Sequence, residues 1–346
     1  MRYFRGSILF TAVGLLAGAA LGWEMTGTAG GTLATVFIVA VLGVLEVSLS
    51  FDNAVINAKV LAEMDVVWRR RFITWGIAIA VFGMRIVFPV AIVAIIARIG
   101  PIDALVMAAT NPAEYSRVLT SAEVSVSAFG GAFLAMVGLK HFFDIEKDVY
   151  WISIIERPLS GLGRIEAVEI GLVLVLLCLF VRLLPVEQEM SFLLAGIFGL
   201  VTYIAVDGIS ALLDMSGAST AAAARTGLAS FLYLEVLDAS FSFDGVIGAF
   251  ALSNNLFVIA IGLGIGAMFV RSLTIMLVDK GTLTEYRYLE HGAFYAIVAL
   301  GIIMFVKTLV HVPEVVTGLI GAALVGLAFW DSVRHNRRER ADEAAS

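Results

Sequence analysis

Long apolar runs constrain the fold of this chain more than any other feature of its sequence. A helix needs roughly 20 mostly apolar residues to cross a lipid bilayer, and about ten such runs can be counted. Hydrophobic residues make up 60% of the 346 residues and charged residues only 15%, which is not the composition of a soluble domain. The sequence therefore predicts an all-α, polytopic transmembrane bundle, with helices at about residues 6–23, 33–62, 72–98, 124–143, 166–184, 190–212, 227–253, 256–279, 291–310 and 314–332.

An acidic motif occurs twice in these runs. Residues 46–53 read EVSLSFDN, and residues 238–245 read DASFSFDG. An acid, two serines, a phenylalanine and an aspartate recur at the same offsets. Two further stretches repeat in the same order, residues 76–85 with 262–271 and residues 131–139 with 292–300. The second, third and fourth predicted helices therefore correspond to the seventh, eighth and ninth.

An odd number of helices separates the two copies, so they should run in opposite directions across the membrane. This pattern predicts an inverted-topology repeat, with a polar site where the repeats meet near the bilayer midplane. We expect the first repeat at residues 1–187, the second at residues 188–334, and a charged cytoplasmic tail at residues 335–346.

Basic residues collect in alternate loops between the predicted helices. The run Arg69–Arg71 and the cluster at residues 334–340 are the clearest examples. Because Lys and Arg favour the cytoplasmic side, we expect both termini in the cytoplasm of a bacterium and the chain in its inner (plasma) membrane. The expected partners are the lipid bilayer and a transported ion, with no nucleic acid. The sequence leaves the oligomeric state open.

Carboxylates inside membrane segments are the candidate functional groups. A charged side chain in hydrocarbon costs several kcal/mol, so such residues usually face a protein interior and carry function. The candidate metal ligands are Glu46, Asp52, Asn53, Asp238 and Asp244. Candidates for an outer shell or an entrance are Ser48, Ser50, Glu235, Ser240, Ser242 and Asp207, and Arg85 and Arg271 are candidate counter-charges.

Helical geometry separates two of these acids. Glu46, Ser50, Asn53 and Asn57 share one face of the second predicted helix, whereas Asp52 lies on another. Residues six apart point about 120° apart in a straight helix. Either the helix unwinds at this point, or each repeat contributes one carboxylate to a site between the repeats.

The predicted donor set consists of carboxylate, amide and hydroxyl oxygens. Oxygen sites suit hard divalent cations such as Mn²⁺, Ca²⁺ and Mg²⁺. Exchange of a bound cation for protons would also allow proton coupling. The single cysteine, Cys178, excludes an intrachain disulfide. The sequence has no phosphate-binding loop, dinucleotide motif or catalytic triad at a recognisable spacing, so we expect neither an enzyme nor a bound cofactor.

At its two acidic motifs the chain resembles the TerC family of integral membrane proteins, within the LysE superfamily. The first family motif is Glu followed six positions later by Asp-Asn, here Glu46 and residues 52–53. The second is Glu, Asp three residues later and Asp nine residues later, here Glu235, Asp238 and Asp244. After the second motif the family usually has Ser and then Pro, whereas this chain continues GVI, which indicates a divergent branch.

The resemblance implies efflux of manganese or another divalent metal and an association with tellurite resistance. We therefore expect a transporter of Mn²⁺, or secondly of Ca²⁺, that works by alternating access. One alternative is a proton- or sodium-coupled exporter of an organic solute or oxyanion held by Arg85 or Arg271. Another is a membrane scaffold for metal loading and the stress response.

Overall fold

A computed structural model describes the backbone of residues 2–165, 167–214 and 220–345, and their side chains except at residues 209–214, 220–226, 244 and 342–345. This described part is helical and contains no strands. Within it, eight helices are long and apolar enough to cross a membrane: Arg5–Thr26, Ala29–Leu49, Ile79–Ala97, Glu123–Phe142, Val186–Gly208, Leu256–Asp279, Leu289–Lys307 and Glu314–Ala341. The all-α polytopic fold is confirmed, and the protein is a membrane protein.

The helices follow one another with short connections. The first part of the chain forms α1 (Arg5–Thr26), α2 (Ala29–Leu49), α3 (Phe51–Glu63), α4 (Val66–Arg71), the π-helical segments π1 (Phe72–Gly76) and π2 (Ile79–Val87), α5 (Phe88–Ala97), α6 (Pro101–Thr110), α7 (Pro112–Thr120) and α8 (Glu123–Phe142). The second part forms α9 (Ser153–Leu162), α10 (Val168–Val181), α11 (Val186–Asp214), α12 (Thr220–Ala249), α13 (Leu256–Asp279), α14 (Thr282–Glu285), α15 (Leu289–Lys307) and α16 (Glu314–Ala345).

Several predicted helices differ in detail from the observed ones. The run at residues 33–62 is two helices, α2 and α3, because the chain bends at Ser50. The run at 166–184 yields α10, which is apolar but has only 14 residues. The last run does not end at residue 332, since α16 continues into the charged tail as far as Ala345.

Short polar side chains set where several helices begin. The Thr28 hydroxyl accepts from the N–H of Gly31 and so caps α2. Asn255 caps α13 in the same way, because its side-chain oxygen accepts from two N–H groups of the first turn. Such caps satisfy donors that a helix start leaves unpaired. Gly27, with φ of 62°, makes the tight turn between α1 and α2, a conformation that glycine adopts without strain.

Helices α8 and α15 pack against each other in opposite directions. A side chain at Gly131 would come within 3.1 Å of the carbonyl oxygen of Gly301, whereas at the other end the His141 ring stacks on Phe294 with centroids 3.7 Å apart. On either side of this pair, α3 contacts α15 as α12 contacts α8. Likewise, α2 and α3 contact α13 as α12 contacts π2. These reciprocal contacts have the form that an inverted repeat would produce.

Candidate functional site

Ser50 bends the chain between α2 and α3. Its φ of −108° and ψ of 18° lie outside the helical region, yet its N–H still donates to the Glu46 carbonyl at 3.0 Å. Its own carbonyl accepts from Ala54 N–H at 3.1 Å. The helix is therefore bent at one residue and keeps these backbone hydrogen bonds. The Ser50 hydroxyl also donates to Glu46 Oε1 at 3.1 Å, which links the bend to a candidate ligand.

A buried cavity of about 30 Å³ lies between the two halves of the chain. We call it the arginine cavity, because both Arg85 and Arg271 line it together with Glu46, Asn53, Asp238 and Ser242. Its size suits one or two water molecules. Ser50 and Asn57 line it as well, so the face predicted to carry Glu46, Ser50, Asn53 and Asn57 is confirmed.

In the first half, Glu46 forms a buried ion pair with Arg85. The Arg85 guanidinium on π2 donates through Nη2 to Glu46 Oε1 and through Nη1 to the carbonyl of Ala80. Both side chains are about 95% buried. Arg85 Nε has no acceptor in the described part of the chain. Glu46 is therefore neutralised from within its own half, as a buried carboxylate requires.

In the second half, Asp238 and Arg271 line the arginine cavity together, without an ion pair as close as that of Glu46 and Arg85 in the described part of the chain. The charge of Asp238 acts on the buried Arg271 guanidinium, which also lies 3.8 Å from the centre of the Phe72 ring. Asp238 Oδ1 accepts two further hydrogen bonds, from the side-chain amides of Asn53 and Asn57, each at 2.8 Å. Each acid of the repeated motif thus lies beside the arginine of its own half, and the halves are joined through amides.

Glu235 lies one turn before Asp238 on α12, beside Arg271. A side chain at Gly76 would meet both the Arg271 guanidinium and Glu235 Oε1 at this point. Glu235 is buried, and neither of its carboxylate oxygens has a hydrogen-bond partner among the described residues. Glu235 therefore lies next to Arg271 of the arginine cavity, without a hydrogen bond to that guanidinium among the described residues.

Asp52 lies in a second cavity of about 20 Å³, which we call the Asp52 cavity. Its polar lining consists of Glu46, Ser50, Asp52 and Thr317, with Gly245 and Gly321 on its walls. Asp52 is 4% exposed, and its Oδ1 accepts from the N–H of Asn53 at 3.0 Å. Among the side chains that the structure describes, no cation pairs with Asp52.

Two glycines leave room around the carboxylates of this cavity. A Cβ atom at Gly245 would lie 3.3 Å from Glu46 Oε2, and one at Gly321 would lie 3.4 Å from Asp52 Oδ2. The two oxygens of Glu46 therefore differ in their surroundings. Oε1 is bonded to Arg85 and Ser50, whereas Oε2 faces Gly245.

In a straight helix Glu46 and Asp52 would point in different directions, yet in the structure both border one cavity. Glu46 lines both cavities, and Asp52 lines only the second. The bend at Ser50 lets both acids border one cavity although they are six residues apart. The second half adds Gly245 to this cavity and Asp238 to the other.

Three predicted outer residues lie away from both cavities. Ser48 is on the exposed face of α2 and donates to the Val44 carbonyl of its own helix. The Ser240 hydroxyl donates to its own helix at Val236. Asp207 is half-exposed and lies 3.8 Å from Lys140, at an open pocket lined by the ends of several helices. Helical rotation turns Ser48 and Ser240 away from the centre, whereas Asp207 lies at the open pocket. An outer-shell or entrance role for these three residues stays a prediction.

Asp244 lies on α12, but its side chain is outside the described residues. Ser50 and Ser242 do lie at the site, as expected. Thr317 and Gly321 of α16 were missed. A lone threonine and a glycine in an apolar run outside the repeat carry little signal.

Within the described part of the chain, no three or more His, Cys, Asp or Glu side chains are close enough together to hold a metal ion. The acids instead lie in two adjacent cavities with amide and hydroxyl oxygens between them. These cavities can accommodate a water molecule or a dehydrated ion, and a larger solute would need a different conformation.

The fold and site define a polytopic membrane protein with buried acids in two adjacent cavities between its helices. A family model described as a protein of unknown function, DUF475, matches residues 51–339. The chain belongs to this family. No curated protein and no solved structure matches it.

Proposed function

We propose that the protein transports a divalent cation across the membrane, with Mn²⁺ the first candidate and Ca²⁺ the second. The observation that carries the proposal is Asp52, a carboxylate buried among membrane helices without a cationic partner in the described part of the chain. A buried charge must be neutralised by a partner, a proton or a metal ion. Such residues mark substrate or ion pathways, proton relays, voltage sensors or ligand counter-ions.

The proposed ion site is the Asp52 cavity. Asp52 and Glu46 Oε2 would supply charge, and the Ser50 and Thr317 hydroxyls neutral oxygens. The Thr317 hydroxyl has no hydrogen-bond partner among the described residues, which leaves its oxygen available. This all-oxygen set suits Mn²⁺, Ca²⁺ or Mg²⁺ rather than a metal that prefers sulphur.

Arg85 would act as a tethered counter-charge. Without a bound cation, Arg85 balances Glu46, and Asp52 needs a proton. A divalent ion between Glu46 and Asp52 would balance both carboxylates, which would release Arg85 and the proton. Binding would then change the contacts that π2 makes with α2, and it would couple metal to proton movement. Export by alternating access could use this change.

Asp238 and Arg271 would position the site rather than bind the ion in this conformation. Asp238 already accepts hydrogen bonds from Asn53 and Asn57, which follow Asp52 on α3. The Asp238 carboxylate therefore fixes α3 against α12. On the distribution of basic residues, we propose the bacterial plasma membrane with both termini in the cytoplasm.

One observation favours a different substrate. Arg85 Nε and Arg271 Nη2 are buried N–H groups without acceptors in the described part of the chain. An oxyanion or a carboxylate could accept from them, as in a proton- or sodium-coupled exporter of an organic solute or of tellurite. At about 30 Å³ the arginine cavity is too small for an organic solute or a tellurite oxyanion in this conformation, so the cation is the better-supported cargo. A membrane scaffold would instead tolerate loss of the Asp52 charge.

Equilibrium binding of Mn²⁺ to the purified protein in detergent tests the site. We expect Asp52→Asn and Glu46→Gln each to weaken binding by about tenfold or more, because the affinity of an oxygen site follows its ligand charge. Asp103→Asn is the matched control, since Asp103 is exposed on α6. Unchanged binding in both site variants would refute the assignment.

A further inference from the structure

Lys307 and Glu314 form an ion pair where α15 ends and α16 begins. Lys307 Nζ lies 3.0 Å from Glu314 Oε1, and their side chains are only 3% and 15% exposed. Ion pairs at a water-facing helix end are normally exposed and contribute little. Here Lys307 is buried and Glu314 is mostly covered, on helices that also line the Asp52 cavity.

Positions on three helices show that the pair lies next to the Asp52 cavity, towards one end of the bundle. On α16, Glu314 lies one turn before Thr317, and on α15, Lys307 lies two turns beyond Leu300, so each shares a face with a residue that lines the cavity. On α12, Gly248 lies one turn beyond Gly245, and a side chain at Gly248 would overlap Glu314. The pair therefore forms the next layer above the Asp52 cavity.

We propose that Lys307 and Glu314 form a gate that closes the Asp52 cavity at the α15–α16 turn. With the pair intact, Lys307 occupies the position that a cation would take beside Glu314. When the pair separates, the Glu314 carboxylate becomes available to a cation that leaves the cavity. The gate's role in export rests on the proposed transport function, whereas the closure itself depends only on the contacts described.

An ion pair with a purely structural role, which only holds α15 against α16, would have different consequences. Its loss would lower stability but would leave the cavity closed to water-soluble reagents until the protein unfolds. Loss of a gate opens the cavity from one side while the bundle stays folded. Accessibility from each side of the membrane therefore separates these roles.

The test measures the reaction of a thiol inside the cavity with a membrane-impermeant cationic thiol reagent. Cys178 is the single cysteine, so Cys178→Ala with Thr317→Cys gives one reporter. The reagent is added to either side of oriented vesicles, and Lys307→Gln is compared with the parent. We expect Lys307→Gln to speed the reaction by about tenfold or more from one side only, because the population of the open conformation rises.

Two variants keep the test decisive. Gly248→Ala displaces Glu314 without removing either charge, and it should give the same one-sided increase. Lys59→Gln removes the lysine of the Lys59–Glu290 pair at the opposite end of α15, and it should give no increase on that side. An unchanged rate in folded Lys307→Gln, or an equal rise from both sides, would overturn the proposal. The assay contains no metal, so its outcome is independent of Mn²⁺ binding.

Discussion

The side-chain amide of Asn53 donates a 2.8 Å hydrogen bond to Asp238, joining the two halves of the bundle. In the repeated motif, Asn53 corresponds to Gly245 and Asp238 corresponds to Glu46. At the corresponding contact, Gly245 faces Glu46 Oε2 and offers no donor. The two halves are therefore unequal at one position. This inequality leaves an oxygen of Glu46 facing the Asp52 cavity, whereas Asp238 is held by amides.

Replacing Asn53 by alanine should destabilise the protein. It removes a hydrogen bond to a buried carboxylate, and we expect a loss of about 1–3 kcal/mol in the free energy of unfolding. Denaturant unfolding in detergent micelles measures this loss. Asn254→Ala is the control, because Asn254 is exposed. Equal stabilities of the two variants would contradict the role assigned to the amide.

Close packing of α2 on α13 predicts a second stability effect. A Cβ atom at Gly266 would lie 2.7 Å from the carbonyl oxygen of Gly43, and that backbone cannot move aside freely. We expect Gly266→Ala to cost about 1–3 kcal/mol through overpacking. Gly171→Ala on α10 is the control, since nothing lies within 4 Å of its Cβ position. Thermal unfolding of both variants tests the contrast, and a fully stable Gly266→Ala would count against the packing described.

Glu156, on the short helix α9 outside the membrane-spanning segments, predicts a pH dependence. Burial raises the pKa of Glu156, but hydrogen bonds from His291, Lys147 and the Ile152 N–H outweigh burial and lower the pKa to about 2. The unfolded value is 4.5, so the stabilisation is complete above that pH and is lost as the pH falls towards 2. We expect a loss on the order of 1–3 kcal/mol.

Unfolding experiments between pH 6 and about 3 test this dependence against the reference pKa range of carboxylates. Glu156→Gln should flatten the pH profile, whereas Glu146→Gln, at an exposed position, should leave it unchanged. A Glu156→Gln profile as steep as that of the parent would show that other groups carry the effect.

Arg85 separates the two candidate cargoes. If Arg85 is a tethered counter-charge, Arg85→Gln frees Glu46, and Mn²⁺ should bind as tightly as before or up to about tenfold more tightly. If Arg85 holds an anion, the same variant should abolish solute transport and leave metal binding intact. Arg85→Lys, which keeps the charge, is the control. Parallel metal-binding and solute-flux assays distinguish the accounts, and a loss of Mn²⁺ binding would contradict the role of Arg85 as a counter-charge.

Much of the fold could be predicted from hydrophobic length alone. A membrane requires long apolar helices with satisfied backbones, so each apolar run could be located from its composition. The π-helical turns that carry Arg85 could not be predicted, and an interruption of the helix between Glu46 and Asp52 was only one of two alternatives. Both features depend on contacts such as the one between Ser50 and Glu46, which join residues only after the helices have packed.

The site could be predicted where helix geometry alone decides which side chains share a face. Glu46, Asn53 and Asn57 share a face in any α-helix, and all three line one cavity. Thr317 was not predictable, because it reaches Asp52 through the packing of α16 on α2 and α3. The ion pair between Glu46 and Arg85 depends likewise on how the helices pack. Sequence spacing identifies both partners without showing which ones meet.

The central claim is that Asp52 lies on the path of a divalent cation. The most direct test is Mn²⁺ flux into proteoliposomes for the parent, Asp52→Asn and Asp103→Asn, with Ca²⁺, Mg²⁺ and Zn²⁺ as competitors. We predict flux in the parent and in Asp103→Asn, competition by Ca²⁺ ahead of Zn²⁺, and no flux above empty liposomes in folded Asp52→Asn. Flux in Asp52→Asn equal to that of the parent, or no metal flux from the folded parent, would contradict the account.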